Sequence, residues 1–290
     1  MSNYVVFTDA NCDLPSDLAK KLKIEVMPMR LVLNGQEYNS YLDYRELSVE
    51  DFYKALAEGA MPTTAQANPD DYISYLTPIL ESGKDVLVIV FSSGLSGTYN
   101  SARLAVDELK EKYPNRQIRL VDSKSASVGQ GLLIHQVVKQ QEAGASLEEA
   151  YQYAQALVPK ISHWFTVNDL HHLKRGGRIS GTAALIGSML QFKPILHVDD
   201  NGKLVPRHKA RGRKKAIKAL FEEMQKTALP GKQAIVSIAH GNDLEAALEL
   251  EKLVKDNFEV ETVILNTVGP VIASHAGAGV LALIFIADHR

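Results

Sequence analysis

The residues that invite chemistry first are Phe91-Ser92-Ser93-Gly94-Leu95-Ser96-Gly97-Thr98. They follow a continuous apolar run, Asp85 to Phe91, and precede a segment with helical spacing. A strand ending in a glycine-rich turn before a helix turns backbone N–H groups outward, under the positive end of the helix dipole. Such a turn suits a carboxylate or a phosphate. The plainer reading is a turn whose serine caps the helix. Four hydroxyls in seven residues favour a site. The same stretch comes close to a nucleophile elbow, G-x-S-x-G, but Gly94-Leu95-Ser96-Gly97-Thr98 ends in threonine. A serine hydrolase would need Ser96, an aspartate and His275, and stands as the alternative function.

Four further segments carry candidates. Pro62-Thr63-Thr64-Ala65-Gln66 lies between two helical stretches, and paired threonines can donate two short hydrogen bonds to a carboxylate. Lys174-Arg175-Gly176-Gly177-Arg178-Ile179-Ser180-Gly181 interleaves three cations with three glycines, which suits an anion held close to the backbone. Gly269-Pro270 through His275 to Gly279 sets a histidine among small residues after a strand. A lone histidine there is more often part of the core than a catalyst, but the adjoining glycines raise its interest. Arg207-His208-Lys209-Ala210-Arg211-Gly212-Arg213-Lys214-Lys215 is the densest charge run, and its first reading is a solvated face.

These candidates need a scaffold. The chain has 290 residues, 46% apolar and 23% charged, enough for two domains, or one large α/β domain, with a buried cavity. Net charge is −2, so nucleic-acid binding would rest on the local patch alone; none is expected. Cys12 is the only cysteine, which excludes an internal disulfide and a cysteine metal cluster. Only His171-His172 are close in sequence among nine histidines, and neighbours rarely face one metal. No metal and no cofactor is expected. There is no phosphate loop of the G-x-x-x-x-G-K-[ST] type, and no kinase or zinc-protease signature. Met1-Ser2-Asn3-Tyr4 lacks a basic leader region, and Ala276 to Ala287 is too short to span a bilayer, so a cytoplasmic protein is expected.

The first half alternates strands and helices. Strands are expected at Tyr4–Thr8, Ile24–Leu33, Asp85–Phe91 and Gln117–Val121. Helices are expected at Leu14–Leu22 after Asp13, Ser48–Glu58, Pro69–Ser82, Tyr99–Tyr113, Gly129–Ala143 and Leu147–Val158. This rhythm predicts a parallel sheet. Beyond His163 the strands Phe165–Val167, Ile195–Val198, Ile235–His240 and Glu259–Leu265 have mixed connections, and Asn201-Gly202 predicts a hairpin. The expected domains are residues 1–163, an α/β unit with a parallel sheet, and 164–290, an α/β unit with a mixed or antiparallel sheet. Their interface is the natural ligand site.

In order along the chain, Phe7-Thr8-Asp9, Pro62-Thr63-Thr64, Ser93-Gly94-Leu95-Ser96-Gly97-Thr98, Asp122-Ser123, Gly177-Arg178-Ile179-Ser180-Gly181, Arg211 and Gly269-Pro270 to His275 resemble the DegV family of bacterial fatty-acid-binding proteins. The resemblance implies a two-domain DegV-type fold with a long-chain fatty acid at and near the domain interface. It implies that Thr64 and Ser96 bind the carboxylate, with Arg178 and His275 beside them. Thr63, Ser93, Gly97 and Thr98 are secondary candidates in the same loops. Arg211 looks like the arginine associated with a phosphoryl-transfer partner. The family implies a carrier without an active site of its own. It would present the carboxylate to a separate ATP-dependent fatty acid kinase, whose acyl phosphate feeds a membrane acyltransferase and phospholipid synthesis. The chain departs from the family pattern at Ala65 and Ala10, where serine is common. Burying ~14 methylenes at about 0.8 kcal/mol each would supply on the order of 11 kcal/mol before binding costs.

Overall fold

The computed structural model describes residues 4–168, 170–179 and 191–290. Ser180 and Gly181 of the basic glycine-rich motif lie outside the described residues.

The first half opens with β1 (Tyr4–Asp9), α1 (Ser16–Lys21), β2 (Glu25–Met27), β3 (Met29–Leu33), β4 (Gln36–Ser40), α2 (Val49–Ala57) and β5 (Thr63–Thr64). It continues with α3 (Pro69–Glu81), β6 (Asp85–Val90), α4 (Thr98–Lys112), β7 (Ile118–Asp122), α5 (Val128–Glu142) and α6 (Leu147–Leu157). Strands β2-β1-β6-β7 form the expected parallel sheet. The single strand expected over Ile24–Leu33 is broken at Pro28, which has no N–H to continue a ladder. Its first part, β2, joins the parallel sheet. Its second part, β3, turns through Asn34-Gly35 into β4, and also pairs with β5. That small antiparallel sheet is what positions Thr64. Asp13 does not cap α1, which starts after Pro15. Asp13 instead sits at φ 46° and its carboxylate accepts the Ser127 hydroxyl.

The second half contains β8 (Ile161–Thr166), α7 (His171–Arg175), β9 (Phe192–Val198), β10 (Leu204–Arg211), α8 (Arg213–Thr227), β11 (Gln233–His240), α9 (Leu244–Asn257), β12 (Val260–Thr267), α10 (Pro270–Ala276) and β13 (Leu281–Ile286). Its six strands run β10-β9-β8-β13-β11-β12, and only β11 and β12 are parallel, so this sheet is mixed. The Asn201-Gly202 hairpin joins β9 to β10 as expected. β13 lies inside the apolar run Ala276–Ala287, where no strand is expected from pattern. With partners on both edges and cores on both faces, a central strand loses the alternation that announces an edge. β8 runs across the division expected after His163.

The two sheets stack around α5. Every residue of α5 from Val128 to Val138 is buried, as an all-round apolar helix requires. One core, containing Leu87, Leu133, Phe165 and Ile284, fills the space between the sheets. A second packs α3 and α4 on the outer face of the first sheet, and a third packs α8 and α9 outside the second. The layers are therefore helix, sheet, helix, sheet, helix. Among the described residues no helix is long and apolar enough to cross a membrane.

Candidate functional site

Between the sheets lies a cavity of about 950 Å³, counting its open mouth. Its walls are mostly apolar. Phe165, Val198, Leu204, Ala282 and Ile284 line it from the second sheet, and Val271 and Ile272 from α10. The register pairs Val198 with Leu204 and Ala282 with Phe165, so these side chains share one face.

Thr64, Ser96, Arg178 and His275 all line this cavity, alongside the polar Asn11, Gln66, Ser127 and His163. The first four come from distant segments yet form a continuous chain of contacts. Thr64 Oγ1 lies 2.8 Å from His275 Nε2. His275 Nδ1 has no hydrogen-bond partner among the described residues and abuts Gly176, where an added Cβ would fall 2.2 Å away. The Gly176 carbonyl accepts from Arg178 Nη1, and Arg178 Nε donates to the Leu95 carbonyl at 3.1 Å. Leu95 leads directly to Ser96. Glycine at 176 is therefore required by the approach of the imidazole, whatever the surrounding charge.

Ser96 is held by local bonds. Its N–H donates to the Ser92 carbonyl at 3.2 Å. Its Oγ accepts the Thr98 N–H at 3.2 Å and lies 2.9 Å from Thr98 Oγ1. The cap of α4 is Gly97, with no side-chain bond, so no serine of the turn is the N-cap. Gly97 is tied to the threonine loop: a Cβ there would fall 2.2 Å from Gln66 Oε1.

Electrostatics favour an anion. Burial, then the charges of Arg178 and Arg175, push the His275 pKa down to about 4. The imidazole is thus neutral near pH 7. When its Nε2–H donates to Thr64, the threonine proton is free for an incoming oxygen. Burial also pulls the Arg178 pKa below its ordinary value. Its guanidinium supplies a positive charge in a partly desolvated wall, where a carboxylate gains most.

The depressed histidine has a stability consequence. Between about pH 6.5 and 4 the unfolded chain protonates this residue and the folded chain does not. Its contribution is complete above pH 6.5 and is lost as pH falls through that window. Asp13, which burial raises to about 7, acts in the opposite direction. The contribution is therefore read as a difference. The stability of wild type relative to His275→Gln is expected to fall from pH 7 to pH 4 in urea titrations. A constant difference would contradict the assignment.

The remaining sequence candidates stand apart from the cavity lining. Thr63 is exposed and faces Val32 across the small sheet. Ser93 Oγ accepts from Lys124 Nζ at 2.7 Å. Thr98 is buried at the start of α4 and orients Ser96. Arg211 is exposed at the end of β10, with Gln191 Oε1 3.4 Å from its Nη2. Within the charge run, Arg213 is committed to Asp243 at 2.6 Å and the Gly279 carbonyl at 2.8 Å. His275 is bonded to Thr64, and Ser96 to Thr98, so the Ser96–His275 hydrogen bond of a hydrolase is not formed. No group of three or more metal-type side chains occurs among the described residues.

Sequence reading missed Asn11, Gln66, Ser127 and His163, all in the lining. Gln66 was within reach, two positions after Thr64 in a segment already singled out. His163 carries no local signal, since only pairing with β13 turns it to the cavity side.

The sequence model of the DegV family, a family of uncharacterised proteins, matches residues 3–288. A DegV domain-containing protein of Clostridium perfringens is 40% identical over 290 residues, covering 100% of this chain and 99% of its own. A DegV family protein of Thermus thermophilus, solved in a study of its fatty acid binding, superposes with a TM-score of 0.89 at 32% identity, covering 98% of this chain and 99% of that one. DegV of Bacillus subtilis, a fatty acid binding protein, gives 0.84 at 30% identity, covering 99% and 100%.

Proposed function

Because the chain belongs to the DegV family, we propose that it is a carrier that holds a long-chain fatty acid in the cavity between its two sheets. The observation that carries this reading is the meeting of Thr64, Ser96, Arg178 and His275 on one mostly apolar cavity. Apolar walls suit an acyl chain, at about 0.8 kcal/mol per buried methylene. A carboxylate taken out of water needs hydrogen-bond donors and a cation together. Thr64 and Ser96 supply hydroxyl donors, Arg178 the charge, and His275 orients the Thr64 hydroxyl. The acyl chain then runs along the face bearing Val198, Leu204, Phe165 and Ile284.

The bound carboxylate is presented to a separate ATP-dependent fatty acid kinase in the cytoplasm. The acyl phosphate then serves a membrane acyltransferase and phospholipid synthesis. Arg211, exposed and not part of the cavity lining, suits contact with that partner better than contact with the ligand.

Calorimetric titration with palmitate is expected to show one site and a negative heat-capacity change, the mark of apolar burial. A serine-directed fluorophosphonate is expected to leave Ser96 unlabelled. Absence of palmitate binding, or stoichiometric labelling of Ser96, would overturn the carrier reading in favour of a hydrolase.

A further inference from the structure

The β9–β10 hairpin does two things at once. Its stem lines the cavity through Val198 and Leu204. Its tip reaches back to the first half of the chain and meets the turn that carries Ser96. There the contact is backbone on backbone: a Cβ on Gly94 would fall 2.5 Å from the Asn201 carbonyl oxygen and 2.7 Å from Gly202. A Cβ on Gly202, whose φ is +73°, would fall 2.1 Å from Ser92 Oγ. The tip is itself stiff. The Asp199 carboxylate accepts from the N–H groups of Asn201 and Lys203 at 3.0 and 2.8 Å, and the Gly202 N–H donates to the Asp199 carbonyl at 2.8 Å. Beside it the half-buried Arg290 guanidinium donates to the carbonyls of Lys124, Asp199 and Val158, joining the hairpin to two segments of the first half.

Ser92 is the link. It is fully buried. Its hydroxyl donates to the Gly202 carbonyl at 2.9 Å and accepts the Gly94 N–H at 3.1 Å. Its own carbonyl accepts the N–H of Ser96 at 3.2 Å and of Leu95 at 3.1 Å. A path of three residues therefore runs from the hairpin tip to the carboxylate-facing serine. Ser92 does not line the cavity; its hydroxyl bonds fix this turn against the hairpin tip, while its own N–H donates to the Ser125 carbonyl at 3.1 Å.

We infer that Ser92 is a positioning residue through which the Gly202 hairpin tip sets the placement of Ser96 for the ligand carboxylate. The same hairpin thereby ties the acyl wall to the carboxylate seat. This rests on the fatty-acid reading above, and extends it to how the seat is built. A group that acts through Ser96 affects ligands that use Ser96 as a carboxylate donor and spares those that do not. It also has no further effect once Ser96 is gone.

The test is a double-mutant cycle on the full chain, with palmitate and 1-hexadecanol as paired probes. Ser92→Ala is expected to lower palmitate affinity about fivefold, the size of one net hydrogen bond. Hexadecanol affinity is expected to stay within about twofold. In a Ser96→Ala background, Ser92→Ala is expected to cost no further palmitate affinity. Gly202→Ala disturbs the same contact from the other side and is expected to give the same pattern, which decides the matter if Ser92→Ala fails to fold. The inference is overturned by equal losses for both ligands, by no loss, or by the same palmitate loss in both backgrounds. A wild-type protein that binds neither probe would remove the carrier reading and this inference with it. Binding of palmitate by wild type with an unaltered seat in the variants would remove this inference alone.

Discussion

Replacing Thr64 and Ser96 together with alanine is expected to weaken palmitate binding about a thousandfold. Hydrogen bonds to a charged group contribute roughly 1.5–3 kcal/mol each, and a tenfold change is about 1.4 kcal/mol. Two such bonds lost from one buried carboxylate correspond to ~10²–10⁴-fold. The loss should appear in palmitate and hardly in 1-hexadecanol, because the acyl wall is untouched. Folding should be little affected. Thr64 is half-buried in a two-residue strand whose ladder is backbone, and Ser96 Oγ is bonded only within its own turn. Equilibrium titration with both ligands checks this. A change under tenfold for palmitate would mean the carboxylate sits elsewhere.

Arg178→Met is the other large effect, expected at about a hundredfold or more. A buried carboxylate that loses its cation is left uncompensated, which costs ~3–5 kcal/mol. Methionine keeps much of the stem volume, so the readout is charge rather than packing. Lysine is expected to restore only part of the affinity. The guanidinium serves three directions at once: the Leu95 carbonyl, the Gly176 carbonyl and the cavity. A single ammonium lacks that planar fork. Full affinity in Arg178→Lys would show that geometry matters less than charge. Full affinity in Arg178→Met would remove Arg178 from the site.

These residues were legible before the structure, though for unequal reasons. Ser96 announced itself through local chemistry, a hydroxyl-rich turn between a buried strand and a helix. Thr64, Arg178 and His275 did not. Each lies in a weak motif, and what joined them was the ordered resemblance to a family. The parallel sheet followed from alternation of periods, because helices covering both faces of a strand impose continuous apolar runs. The mixed sheet was read only in outline. β13 was hidden by its central position. The break at Pro28 was visible in the sequence, but its consequence was not, since assigning β3 to a separate sheet depends on pairing with Thr63-Thr64 far along the chain. The seat itself is a product of contacts between segments. Gly176 against His275, and Gly94 against Gly202, are glycines whose reason is a neighbour more than ninety residues away. No local pattern encodes such a neighbour.

The most direct test of the central claim is native mass spectrometry of the protein as purified from a bacterial host, followed by organic extraction of whatever it holds. The account predicts one bound species at the mass of a long-chain fatty acid, retained by wild type and lost in the Thr64→Ala/Ser96→Ala double variant. A ligand-free mass that stays unchanged after incubation with several long-chain fatty acids would contradict it.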